Sequence, residues 1–115
     1  MSTALKIAQL YFALSNKSDF DGIGKLFTDK TVYKSQNTGE YIGVTDILTM
    51  QRAFHGKFSS LNWKVNSVRE IKPGVILFDY ELRGELASGE VTTSTGLEYV
   101  TVNHGKIQEI EIENK

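Results

Sequence analysis

Four side chains of this sequence have the chemistry to hold or polarise an oxygen-bearing ligand: Tyr11, Tyr33, Ser35 and Glu98. Glu98 stands in Leu97-Glu98-Tyr99, where two-residue alternation puts it on one side with Val100 and Val102. A carboxyl on an apolar face loses hydration, which raises its pKa and favours the neutral, hydrogen-bond-donating form. The alternative is a surface carboxylate at a strand edge, or one paired with Lys or Arg. Tyr11 falls at an inward position of a helical repeat, and its hydroxyl, if buried, needs a backbone carbonyl or a ligand as partner. Tyr33 and Ser35 share one face of an extended segment and are expected at the mouth of a pocket. Phe54, Phe78 and Tyr80 read as core residues that also form pocket wall, since aromatic residues at helical or strand spacing are usually packing. His55 follows Phe54 near a helix end, where a partly charged imidazole suits the dipole, and reads as a cap or surface residue. His104 falls in a turn and reads as solvated.

The sequence contains no cysteine and only two histidines, His55 and His104. Disulfides, a thiolate nucleophile and a cysteine zinc site are therefore excluded, and little remains for a histidine metal site. Neither a metal nor a cofactor is expected. Thirteen basic residues against fourteen acidic ones give a formal charge of −1 over 115 residues. Nucleic-acid binding needs a basic field that displaces counterions, and this chain lacks one. No run is long enough for a membrane-spanning helix, and the first residues do not form a basic region followed by an apolar one. The expectation is a cytoplasmic protein without membrane contact.

The elements that must position these residues can be read from periodicity. Ala4, Ile7, Ala8, Tyr11 and Leu14 recur at helical steps, with Ser2 or Thr3 as cap. Asp19 caps a second short helix carrying Phe20, Ile23, Leu26 and Phe27 inward. Residues 31–36 read as a short strand that returns through the Asn37-Thr38-Gly39 turn to Tyr41-Ile42. Thr45 or Asp46 is the expected cap of a third helix, whose Ile47, Met50 or Gln51, Phe54 and Phe58 fall near one face. Beyond it the period becomes two. Extended segments at 61–71, 75–86, 90–103 and 106–113 are separated by Lys72-Pro73-Gly74, Ala87-Ser88-Gly89 and Asn103-His104-Gly105, which predicts an antiparallel meander. Ile76, Phe78, Tyr80 and Leu82 face one way, while Val75, Leu77, Asp79, Glu81 and Arg83 face the other. The length suits one domain over residues 1–115. The fold class is α+β: three N-terminal helices packed on a curved, mostly antiparallel sheet, a cone-shaped α+β barrel.

Tyr11-Phe12-Ala13-Leu14-Ser15-Asn16, then Asp19-Phe20-Asp21-Gly22-Ile23, then Leu26-Phe27-Thr28-Asp29, together with Gly43 and the closing Gly105-Lys106-Ile107, resemble the nuclear transport factor 2-like superfamily. The likeness extends to its ketosteroid isomerase and polyketide-cyclase (SnoaL-like) groups and runs over nearly the whole chain. This superfamily hosts enzymes, binding proteins and non-catalytic dimerisation modules, so it implies the fold more narrowly than the function. Set against the ketosteroid isomerases, the resemblance implies Tyr11 and Glu98 as donors to a developing oxyanion and hence as catalytic candidates. The place of the proton-moving carboxylate, eight residues after Phe27, holds Ser35. A serine hydroxyl is no base near neutral pH unless activated, so the resemblance leaves that role unfilled.

Two functions follow. One is a pocket for a small hydrophobic ligand bearing a carbonyl or hydroxyl, with or without cofactor-independent isomerase, lyase or cyclase chemistry. The other is a non-catalytic module that forms a homodimer, or docks a partner, through the outer sheet face carrying Val75, Leu77 and Arg83.

Overall fold

The structure is a computed structural model and describes residues 2–115. Helix α1 spans Thr3–Asn16 and starts where expected, because the Ser2 hydroxyl accepts the Leu5 N–H at 3.0 Å. The Asp19 carboxylate caps the short α2, Phe20–Gly24, by accepting the Gly22 N–H at 2.9 Å. A hairpin of β1, Val32–Ser35, and β2, Gly39–Ile42, leads into α3, Val44–His55. Four long strands follow: β3, Phe58–Lys72; β4, Val75–Leu86; β5, Val91–Asn103; and β6, Lys106–Asn114.

Two expectations about α3 are corrected. Neither Thr45 nor Asp46 caps it; the N-cap is Gly43, which makes no side-chain cap bond. The preceding loop performs the capping instead. The Gly43 N–H donates to the Thr31 carbonyl at 2.8 Å and the Val44 N–H donates to the Thr28 carbonyl at 3.0 Å. Gly43 holds φ at 92°, and a Cβ there would stand 3.0 Å from the Asp29 carbonyl oxygen, so both conformation and space call for glycine. Phe58 is not on the helix, because α3 ends at Gly56 and Phe58 opens β3. Its ring covers Gly84 of β4, where a Cβ would come within 2.6 Å of it.

The sheet order is β2-β1-β6-β5-β4-β3. Every pairing is antiparallel except β1 with β6, which is parallel and places Tyr33 opposite Ile110. Register shifts within β3, between Phe58 and Ser60, Val65 and Ser67, and Glu70 and Lys72, help bend the sheet. The sheet stays open, with β2 and β3 as its edges, and the helices fill the concave side. The predicted alternation holds along β4 and β5. Ile76, Phe78 and Tyr80, and likewise Gly96, Glu98, Val100 and Val102, face the buried side. Phe12 of α1 stacks on Phe78 with ring centroids 3.9 Å apart, and Ala8, Ile23, Ile47, Val100, Ile107 and Ile110 complete the closed end of the core. Full burial of a side chain of this size contributes roughly 1.5–3 kcal/mol, so the closed end is well able to hold the helices in place.

Candidate functional site

Toward the other end of the cone the core does not close. Tyr11, Phe12 and Ser15 of α1, Met50, Gln51, Phe54 and His55 of α3, and inward residues of the sheet surround a cavity of about 80 Å³ of solvent-accessible volume. Tyr33 and Ser35 reach it from β1, Trp63 from β3, Tyr80 and Leu82 from β4, Glu98 from β5 and Ile112 from β6. A water-sized occupant needs roughly 10–15 Å³ by such a measure, so the cavity has room for a compound of about one ring. An open groove between the β1–β2 turn and α3 shares Thr38, Met50 and Phe54 with the cavity wall and leads toward solvent.

Glu98 is the centre of the polar wall. It is only 3% exposed, and among the described residues its carboxyl has no hydrogen-bond partner. Burial pushes its pKa up to about 8. At neutral pH the protonated form therefore predominates and can donate a hydrogen bond.

Tyr11 stands beside it. Its hydroxyl oxygen accepts the Gln51 side-chain N–H at 2.9 Å, so the tyrosine's own proton is directed elsewhere, to the neighbouring Ser15 hydroxyl or to a ligand in the cavity. Burial raises the Tyr11 pKa well above its ordinary value and the Glu98 charge adds to this, while the hydrogen bonds from Gln51 and Ser15 pull the other way. Burial likewise raises Tyr33 and Tyr80, each with help from Glu98. All three tyrosines thus stay neutral donors. The Gln51 carbonyl oxygen is buried and, among the described residues, has no partner. An orphan of this kind costs about 1–3 kcal/mol, a strain accepted where the same amide orients Tyr11.

The sequence-derived residues Tyr11, Tyr33, Ser35, Phe54, Tyr80 and Glu98 are brought together around this one cavity. Phe78 is not at the wall. It lies beneath Phe12, which takes the wall position above it. Ser35 has a local task as well, its hydroxyl accepting the Asn37 N–H at 3.1 Å in the β1–β2 turn. His55 is neither a simple cap nor a surface residue. It is half-buried, lines the cavity and packs against Phe20 at 4.9 Å, Trp63 at 5.3 Å and Phe54 at 6.2 Å between ring centroids. Its Nδ1 lies 2.9 Å from the Ser18 hydroxyl, and burial lowers its pKa, so the ring is neutral at pH 7 rather than partly charged. Trp63 is held in turn by Asn16, whose side chain accepts the Trp63 N–H at 2.7 Å and donates to its carbonyl at 3.1 Å.

Periodicity had left Met50 and Gln51 as alternatives for one inward position, and both reach the cavity. Ser15 lies one turn beyond Tyr11 on the same helix face, and Phe12 is the next residue around the helix. Nothing in the sequence near His55 marked it as facing a pocket. Among the described residues no group of three His, Asp or Glu side chains converges to hold a metal ion, and no helix is long and apolar enough to cross a membrane.

Residues 8–110 match the SnoaL-like domain family. No curated protein matches the chain in sequence. Among solved structures, a protein described as a candidate SnoaL-like polyketide cyclase from Shewanella putrefaciens CN-32 superposes with a TM-score of 0.86 at 8% identity, covering 99% of this chain and 80% of that one. An LEH-like epoxide hydrolase of M. tuberculosis gives 0.86 at 14% identity, covering 98% and 79%. An NTF2-like protein of unknown function from Exiguobacterium sp. 255-15 gives 0.83 at 20% identity, covering 95% and 98%. At such identities the likeness establishes the fold alone.

Proposed function

This chain belongs to the SnoaL-like domain family, and on that footing we propose that its cavity binds a small, mainly apolar compound through a carbonyl or hydroxyl oxygen. Residues 1–115 act in this reading as one ligand-binding domain. Tyr11 and protonated Glu98 donate to that oxygen. Tyr33 and Tyr80 complete a neutral polar lining, and Phe12, Phe54 and Leu82 contact the apolar body. The observation that carries the reading is the buried Glu98 carboxyl, which faces a cavity with no protein partner. A protonated carboxyl that meets only cavity space gains a hydrogen bond when a ligand oxygen enters. The cavity volume narrows the ligand to about one ring inside the cone, with any further substituent lying in the adjoining groove.

The test is binding of 4-fluorophenol, followed by fluorine NMR. Binding should weaken about tenfold in Tyr11→Phe and in Glu98→Leu, each of which removes one hydrogen bond worth about 0.5–1.5 kcal/mol or more. Glu98→Gln keeps a donor and should retain most of the affinity while losing the wild type's weakening above the Glu98 pKa. Unchanged affinity in both Tyr11→Phe and Glu98→Leu would refute the assignment.

Homodimerisation through the outer sheet face is a second, compatible proposal. Val75 and Leu77 are half-exposed there beside Asp79, which pairs with Lys115 at 2.7 Å. Sedimentation at micromolar concentration decides it, and a monomer removes it.

A further inference from the structure

One titratable group of the cavity wall is not used by the binding reading. His55 projects from the last turn of α3 and is wedged among Phe20, Phe54 and Trp63, which fix the plane of its ring. Ser18 occupies its Nδ1. Ser18 lies in the tight turn between α1 and α2 with φ of 52°, and that turn brings its exposed hydroxyl to Nδ1. Among the described residues, Nε2 has no hydrogen-bond partner, and the ring lines the cavity.

We propose that His55, positioned by Ser18, is the proton acceptor of this cavity and that the compound bound there is a ketone carrying a removable hydrogen on a carbon conjugated with, or next to, its carbonyl. The proposal rests on the binding reading, because it needs the ketone oxygen held by Tyr11 and Glu98. In the tautomer this role requires, the Ser18 hydroxyl accepts the Nδ1–H, which leaves a lone pair free on Nε2. That lone pair takes the proton from carbon. The C–H electron pair forms a carbon–carbon double bond, and the carbonyl π pair moves onto oxygen, where Tyr11 and Glu98 donate to the developing charge. Return of the proton to the same carbon exchanges hydrogen. Return to a conjugated carbon moves a double bond. Neither outcome consumes an oxidant or reductant.

The electrostatic setting suits the role. The other titratable groups lining this cavity are Tyr11, Tyr33, Tyr80 and Glu98, whose pKa values are all raised, so all are neutral at pH 7. The cation on the same helix, Arg52, lies over the Phe20 ring and reaches toward Asp21. Burial favours the neutral form of His55, which is the form that accepts a proton.

The test follows α-deuteration of cyclohexanone in D2O by proton NMR, alongside 4-fluorophenol binding, for the wild type, His55→Gln, Ser18→Ala and Tyr11→Phe. The wild type should accelerate exchange over buffer, with a rate that rises through a pKa below 6.5 and falls again as Glu98 ionises near 8. His55→Gln should lose about 10²–10⁴-fold in the exchange rate measured at saturating ketone, while phenol binding remains detectable. Ser18→Ala should bind normally and lose less, with its lower inflection displaced, a shift that a purely structural serine would not produce. Undiminished exchange in His55→Gln overturns the proposal. So does a wild type that binds the phenol through Tyr11 yet never exceeds buffer. Absence of phenol binding, by contrast, marks failure of the binding reading itself.

Discussion

Replacing Glu98 by Gln should alter how the protein's stability depends on pH, and the size of the effect can be worked from the structure. The folded-state pKa of Glu98 is raised from 4.5 to about 8 by burial. Between those values the folded protein holds a proton that the unfolded chain has released, so stability falls as pH rises. Below 4.5 both states are protonated and the contribution is complete; above 8 both are ionised and it is lost. Each pH unit between them removes about 1.4 kcal/mol, and integration from about pH 5 to about pH 9 gives a loss of about 4 kcal/mol. Glu98→Gln has no such proton. Urea unfolding of both proteins across that range supplies the measurement, and every other titrating group cancels in the difference between them. The wild type should lose about 4 kcal/mol relative to Glu98→Gln as pH rises. A difference that moves by less than about 1 kcal/mol would show that the folded protein solvates the carboxylate as water does, and the neutral donor assigned to Glu98 would fall with it.

Three further outcomes test the walls of the cone. Gly96→Ala should cost about 1–3 kcal/mol in urea unfolding, because the added Cβ would stand 2.5 Å from the Tyr80 hydroxyl; combining it with Tyr80→Phe should recover part of the loss in a double-mutant cycle. Asn16→Ala severs both bonds that tie the end of α1 to Trp63 and should destabilise by about 1–3 kcal/mol, with the tryptophan emission shifting to the red as its ring loosens. Thr31→Val removes a fully buried hydroxyl that donates to the Ile107 carbonyl at 2.7 Å and accepts the Thr28 N–H at 2.8 Å. A loss of about 1–3 kcal/mol is expected in thermal or urea unfolding, and a neutral result would mean that water replaces both bonds.

Much of this architecture is legible in the sequence. The helical spacing of Ala8, Tyr11 and Leu14 and the change to two-residue alternation after α3 are strong local signals, and side-chain parity carried Glu98, Val100 and Val102 to the buried side. The cap of α3 was not legible, because Gly43 works through bonds from backbone distant in sequence. Side-chain depth was hidden too. Parity gives a face but not which of two stacked rings is uppermost, so it cannot tell the wall position of Phe12 from that of Phe78 beneath it. His55 was read from its helix end alone. Its real environment comes from Phe20, Trp63 and Ser18, which tertiary packing brings to it from three other parts of the chain.

The parallel pairing of β1 with β6 has a kinetic consequence. The strand that carries Tyr33 and Ser35 has only the short β2 as a neighbour until β6 arrives, and a lone two-stranded hairpin is at best marginal in water. The bond from Thr31 to Ile107, which secures that junction, spans 76 residues. Closing so long a loop is entropically costly before any contact rewards it, so contacts of this kind tend to form late. The meander of β3 to β6 can assemble from neighbours in sequence, whereas the β1 wall of the cavity must wait for it. A nascent or partly refolded chain would therefore hold a sheet before it holds a binding site, and ligand capture would report the last step of folding.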